Sequence, residues 1–203
     1  MSDRLQKLLG NASKGFIFIV SAPAGTGKTT LVRMLSQEFP CVVESISCTT
    51  RPVRPGEIEG KDYHFLAKLE FEEKIRQGDF LEYADVFGYH YGTSRAFVQK
   101  QQDMGKHVFL VIDTQGAMQL KNKNFPAVYI FLSPPSLEEL KERLLKRKTE
   151  SMEVIENRLS WAKEEMEMVK HYDYHIVNDN LNQAYTILRS IVIAEEHRVQ
   201  LRR

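Results

Sequence analysis

At 203 residues the chain can bury a sizeable core and is most simply one domain with inserted subdomains. Its 28 Lys+Arg against 27 Asp+Glu leave a formal charge of +1, so no global field argues for nucleic acid or an anionic membrane as partner. Hydrophobic and charged fractions of 42% and 27% are ordinary for a soluble globular protein, so cations that act on phosphate must be gathered locally. Cys41 and Cys48 show no paired motif and read as reduced thiols, and the six histidines show no ligand spacing. Residues 1–14 lack the apolar centre of a leader peptide, and no run approaches the length needed to span a bilayer, so a cytoplasmic protein is expected.

Residues 15–20 are continuously apolar, as in a buried parallel strand. Then come Ser21, Ala22, Pro23, Ala24, Gly25, Thr26, Gly27, Lys28, Thr29 and Thr30, followed by Leu31, Met34, Leu35 and Phe39 at helical spacing. Strand, Gly-rich turn and helix in that order predict a phosphate-binding loop, although Ala22 stands where G-x-x-x-x-G-K-[ST] has its first Gly. Gly25 and Gly27 free the backbone to aim N–H groups at one anion, and the helix start adds its own N–H groups and dipole. Lys28 brings a cation to the outer phosphates, and the Thr29 hydroxyl suits a magnesium shell.

Residues 42–46 predict a second strand, followed by the hydroxyl-rich 47–50. Two prolines and two glycines in 51–63 exclude a regular element there, and Arg51 and Arg54 on so long a loop suit a bidentate grip on phosphate. Short strands are expected at 63–66, 80–87 and after the turn at 88–92, with a helix over 69–77 ended by Gly78. That change of rhythm predicts an inserted, mainly β lobe, and a helix over 94–104 leads back to the core.

Residues 107–113 predict the strongest strand, ending in Asp113 where the crevice of an open α/β sheet lies; the same carboxylate could cap the next helix. A strand at 127–132 precedes a helix carrying Arg143 and Arg147 four apart, and a second helix from about Met152 carries Arg158. These three arginines bracket residues 149–151 and read as a mobile cationic lid. Trp161 and the methionines of 152–168 read as packing. A strand over 174–178 and a helix over 181–201 close the chain.

Several of these stretches together resemble guanylate kinases. They are residues 47–57 (SCTTRPVRPGE), 60–65 (GKDYHF), 80–84 (FLEYA), 91–93 (YGT), 112–116 (IDTQG), 134–136 (PPS), the three arginines and 177–179 (VND). The resemblance runs from about Gly15 to the last helix. It implies an α/β fold: a P-loop parallel sheet core flanked by helices, with an inserted mainly β GMP-binding lobe and a helical lid. The core would comprise residues 1–46, 106–136 and 165–203, the lobe 47–105 and the lid 137–164. The implied activity is transfer of the ATP γ-phosphoryl group to GMP, and to dGMP as well, with Mg2+ accompanying ATP.

Residue by residue, Ala22, Pro23, Ala24, Gly25, Thr26, Gly27, Lys28, Thr29, Thr30 and Asn178 would bind ATP. Arg51, Arg54, Tyr63 and Tyr91 would hold the GMP phosphate, with Ser47, Glu82 and Thr93 reading the guanine and Asp113 beside them. Thr29 and Asp113 would face the metal, and Lys28, Arg51, Asp113, Arg143, Arg147 and Arg158 would form the catalytic set. Guanine offers N–H donors at N1 and N2 that a carboxylate such as Glu82 accepts, and adenine has neither. The partners implied are nucleotides, with neither nucleic acid nor membrane, for a monomer or homodimer. Val111, Lys148 and Asn180 depart from the family pattern, which bears on metal affinity and lid motion. Two alternatives are a binding module that has kept the fold and a kinase for another phosphorylated acceptor; intact Lys28 and lid arginines oppose the first, and Ser47, Glu82 and Thr93 the second.

Overall fold

Two sheets organise residues 7–146 and 151–199, the parts described by the computed structural model. In chain order the elements are β1 (Ile17–Ser21), α1 (Lys28–Glu38), β2 (Val42–Ser45), β3 (Cys48–Thr49), β4 (His64–Phe65), α2 (Lys68–Gln77), β5 (Phe80–Val86) and β6 (Tyr89–Ser94). There follow α3 (Arg95–Asp103), β7 (His107–Val111), α4 (Thr114–Asn122), β8 (Val128–Ser133), α5 (Leu137–Lys146) and α6 (Met152–Glu167). A 3-10 turn (Met168–His171), β9 (Tyr174–Val177) and α7 (Leu181–Glu196) complete the described chain.

The larger sheet is all parallel, in the order β2-β7-β1-β8-β9. Side chains alternate along a strand, so β1 serves both faces. Phe18 and Val20 join Leu31, Val32 and Leu35 of α1 and Leu188, Ile191 and Val192 of α7. Ile17 and Ile19 join Val98 of α3 with Ala117 and Leu120 of α4 on the other side. Burial on both faces is why these strands read as unbroken apolar runs.

The smaller sheet, in the order β4-β3-β6-β5, is mixed: β3 runs parallel to β4 and antiparallel to β6. Phe71 of α2 closes it, stacked 4.6 Å from Phe80. Leu81 of β5 reaches the core cluster, which seats this sheet against the larger one. Helices α5 and α6 form a third unit, joined by Leu140, Leu144, Ile155 and Ala162.

Several boundaries differ from expectation, among them β6, which begins at Tyr89 inside the turn expected at 88–92. Strand β7 stops at Val111 rather than Asp113: Ile112 N–H still bonds Val20 at 3.3 Å, but Asp113 turns to become the N-cap of α4. Helix α7 stops at Glu196, because no core remains to bury its continuation; Val199 is 85% exposed. Among the described residues no helix is long and apolar enough to cross a membrane.

Candidate active site

A cleft of about 730 Å³ opens at the C-terminal ends of β1 and β7. Residues 22–27 leave β1 with Gly25 at φ 94° and Gly27 at φ 100°, left-handed conformations that side chains disfavour. The Thr26 hydroxyl and N–H both donate to the Pro23 carbonyl, at 2.8 and 3.2 Å, and close the turn. From beyond β9, Asn178 Nδ2 donates to the Thr26 carbonyl at 2.7 Å and stands 2.9 Å from where a Cβ on Gly27 would lie. Gly27 caps α1 with no side-chain bond, so the first-turn N–H groups are available to an anion. Lys28 Nζ lies 2.6 Å from the Ala22 carbonyl, folded across the loop it serves.

Asp113 Oδ1 accepts from Gly116 N–H at 2.8 Å, so its position is fixed by the start of α4. Burial pushes the Asp113 carboxyl up, while the Gly116 N–H and the Lys28 charge pull it back. A second carboxylate faces the same ground: Glu165, in the last turn of α6, lines the cleft, and burial pushes it up to about 7 against the charge of Lys28. Thr29 lines the cleft too. A hydroxyl and a carboxylate are hard oxygen donors of the kind magnesium takes while keeping several waters, so these residues fit such an ion.

On the smaller sheet, Arg51 is only 6% exposed, and each of its three guanidinium nitrogens donates one bond, out of five N–H donors in all. It donates to Tyr91 Oη at 3.1 Å, to the Pro52 carbonyl at 2.7 Å and to Glu57 Oε1 at 2.6 Å, and lies 5.3 Å over the Tyr63 ring. Glu57 Oε2 also accepts the Arg54 N–H at 2.8 Å, so one carboxylate holds the loop in which both arginines sit. Tyr63 and Tyr91 meet edge to face at 5.8 Å. Deeper in, Thr93 Oγ1 donates to Glu82 Oε1 at 2.6 Å, and both residues are buried. Burial pushes the Glu82 carboxyl up to about 7, opposed by the Thr93 hydroxyl and assisted by the Asp113 charge. Gly116 makes room there: a Cβ would stand 2.3 Å from Glu82 Oε2, so the Glu82 carboxylate would have to shift.

Most residues singled out from the sequence therefore meet around one cavity. Ala22, Ala24, Gly25, Gly27, Lys28, Thr29 and Thr30 line one end, and Ser47, Arg51, Arg54, Tyr63, Glu82 and Tyr91 the other, with Asp113 and Arg158 between. Pro23, Thr26, Asn178 and Thr93 support the lining from behind through the bonds above. Arg143 does not line the cavity: its Nη1 donates to the Asn178 carbonyl at 2.9 Å and its Nε to Glu139 at 3.0 Å, which ties α5 to the loop's own support. Arg147 and Lys148 lie outside the described residues. Trp161 and Met168, expected to pack, line the cavity. Sequence reasoning missed Glu57, Phe87 and Glu165; the spacing of Glu165 seven residues after Arg158 put both on one helix face and was the available signal.

Residues 14–195 match the family model described as guanylate kinase. A guanylate kinase of Protochlamydia amoebophila is 58% identical over 190 residues, covering 94% of this chain and 96% of that protein. One of Clostridium perfringens is 43% identical over 187 residues, covering 92% and 87%. The crystal structure of guanylate kinase from Anaplasma phagocytophilum superimposes with a TM-score of 0.75 at 34% identity, covering 95% of this chain and 91% of that one.

Proposed function

The chain belongs to the guanylate kinase family and is an ATP:GMP phosphotransferase, and we propose that the cleft described above performs the transfer with the residues that line it. The observation that carries this assignment of roles is the meeting of two unlike ends in one cavity. At one end stands a phosphate loop with an open helix start; at the other, a buried carboxylate lies beside an arginine–tyrosine cluster.

In this reading ATP lies along residues 22–30, and GMP lies on the smaller sheet. Arg51, Arg54, Tyr63 and Tyr91 grip the GMP phosphate, and Glu82, steadied by Thr93, accepts the guanine N–H donors next to Ser47. An acceptor lacking those donors leaves the buried carboxylate unpaired, which is a large penalty. No general base is needed, because a nucleoside monophosphate has its second ionisation at about pH 6 and arrives mostly dianionic. One of its oxygens attacks the γ-phosphorus, the bond to the β-phosphate oxygen breaks, and ADP leaves. The work of the protein is alignment and neutralisation of two anions. Lys28 moves from the Ala22 carbonyl to the phosphates, and Arg143, Arg147 and Arg158 bring charge from the lid, helix α5 being already linked to the loop through Asn178. Thr29 and Asp113, with Glu165 behind them, would hold Mg2+ and its water. That ion supplies charge neutralisation on the phosphate oxygens when bound. The lobe of residues 47–105 and the lid of 137–164 are the parts proposed to close, excluding water. Nothing in this mechanism needs the ribose 2′-hydroxyl, so dGMP is proposed as a second acceptor, and the cytoplasm as the setting.

An ADP-release assay with ATP and magnesium, comparing GMP, dGMP, AMP, dTMP and no acceptor, tests this. ADP formation dependent on GMP and dGMP is expected. Preference for another acceptor would overturn the role given to Glu82 and leave the fold untouched.

A further inference from the structure

Val86 pairs with Tyr89 at the tip of the β5–β6 hairpin, leaving Phe87 and Gly88 as a two-residue loop. Both have positive φ, 54° and 79°, as a type I′ turn requires, and the favoured pairs for that turn are Asn-Gly and Asp-Gly. Gly88 suits this backbone. A bulky aromatic residue in it is an outlier, and such local violations gather where a side chain has another task.

The Phe87 ring faces the lid. Its centroid lies 5.0 Å from that of Trp161 on α6, and the guanidinium carbon of Arg158 lies 5.5 Å from the same ring. Arg158, Trp161 and Glu165 recur at i, i+3 and i+7 and so share one face of α6, all three lining the cleft. Ile155, Leu159 and Ala162 form the adjoining stripe, in the contact with α5. Phe87 and Trp161 each keep 41% of their surface exposed, so neither is a core residue.

We propose that Phe87 is a positioning residue for phosphoryl transfer: the tip of the acceptor lobe carries the ring against which the lid guanidinium of Arg158 is held. This rests on the reading that Arg158 brings charge to the transferring group. An aromatic face attracts a cation, and its flatness limits the rotamers of a long side chain that would otherwise spread over many. Trp161 supports the ring from the lid side at an interplanar angle of 41°. Since the ring belongs to the lobe and the guanidinium to the lid, this contact forms only when both have approached. The lobe that binds the acceptor thereby assembles part of the charge that the reaction uses.

Kinetics on the full chain test this with Phe87→Ala, Phe87→Tyr, Phe87→Asn, Arg158→Ala and the double variant Phe87→Ala/Arg158→Ala. Asn suits the left-handed backbone, so Phe87→Asn should melt no lower than the parent protein and removes misfolding as an explanation. The Ala and Asn variants should lose about fivefold to tenfold in kcat while the Kd for GMP stays within about twofold, and Tyr should restore turnover. In the Arg158→Ala background, Phe87→Ala should cost less than about twofold, because the partner through which it acts is gone. Trp161 is the single tryptophan, so its emission should change when GMP and a non-hydrolysable ATP analogue bind, and that change should shrink in Phe87→Ala. Full turnover in Phe87→Asn, a loss confined to the KM for GMP, or additive losses in the double variant would overturn the proposal. Absence of GMP-dependent turnover in the unaltered protein would instead sink the assignment of function on which it rests.

Discussion

Glu82 sits between two protonation states near neutrality, because burial raises its carboxyl from 4.5 to about 7. Only the carboxylate accepts two guanine N–H donors, so the Kd for GMP should rise about tenfold between pH 8 and pH 6 as the free group protonates. The acceptor phosphate titrates at about pH 6 in any variant, so the contrast with Glu82→Gln isolates the Glu82 contribution. Gln keeps the bond from Thr93 but has one acceptor oxygen, and GMP binding should weaken by about tenfold to a hundredfold with a shallower pH slope. Stability should move the other way. The folded pKa lies above the unfolded one, so the contribution of Glu82 is complete below 4.5 and is lost as pH rises through about 7. At pH 8 the substitution should therefore raise stability, on the order of 2 kcal/mol, or about 4–8 °C in Tm. A Glu82→Gln protein that melts no higher at pH 8 and shows the parent's pH slope would show the carboxyl to be ionised and well solvated throughout.

Helix α4 acts as an element more than through any one side chain: its first turn fixes Asp113 by a cap bond and presents the flat face of Gly116 to Glu82. The residue is an ordinary helical glycine by conformation, so what it contributes is the missing Cβ. Gly116→Ala improves helix propensity by about 1 kcal/mol and yet forces Glu82 off its seat. The expected result is a Tm near the parent's, a KM for GMP raised about tenfold and a KM for ATP unchanged; an unchanged KM for GMP would mean that Glu82 can shift freely. Sequence alone exposed the local part of this arrangement. The apolar run of 15–20, Lys28 and Thr29 behind their glycines, and the capping residue Asp113 are all set by neighbours within a few residues, and the structure has them where periodicity and cap chemistry put them. Ile112 looked like a continuation of β7, and only the competition between ladder and cap stops the strand at Val111. Contacts between distant segments left no such mark: nothing near Phe87 announces Trp161.

Seen whole, the molecule keeps its reactive groups and its structural tie at opposite ends of the parallel sheet. The cleft lies at the C-terminal ends of the strands, and at the N-terminal end of β7 His107 is fully buried with its Nε2 2.5 Å from Glu196 of α7. The Phe16 N–H donates to His107 Nδ1 at 3.1 Å, which leaves the proton on Nε2 to be donated to Glu196. Glu196 also accepts the N–H of Gly10 at 2.7 Å and of Asn11 at 2.8 Å, so one carboxylate joins the N-terminal segment, the central sheet and the last helix. Burial alone would raise the Glu196 carboxyl, but the Asn11 and Gly10 N–H groups and the His107 ring outweigh it and hold the pKa below 4.5. Burial likewise depresses His107 below 6.5, with Glu196 opposing it. Both shifts have one sign in their effect on stability: the contribution is present above the unfolded pKa values and is lost as pH falls through the folded ones. The contribution of this joint to the Tm should therefore be level above about pH 6.5 and decline below it, opposite in sign to that of Glu82, so it is read from the difference between parent and variant. Glu196→Gln keeps the shape but removes the charge from four donors, the Asn11 side-chain amide at 2.8 Å being the fourth, and should lower the Tm by about 5 °C at pH 7.5. The gap should narrow towards pH 4, where the parent carboxylate is being protonated as well. Turnover of GMP at a temperature below both transitions should be unchanged, since nothing in this joint reaches the cleft. A loss of kcat alongside the fall in Tm would mean that the two ends of the sheet are coupled, and that α7 does more than cover the core.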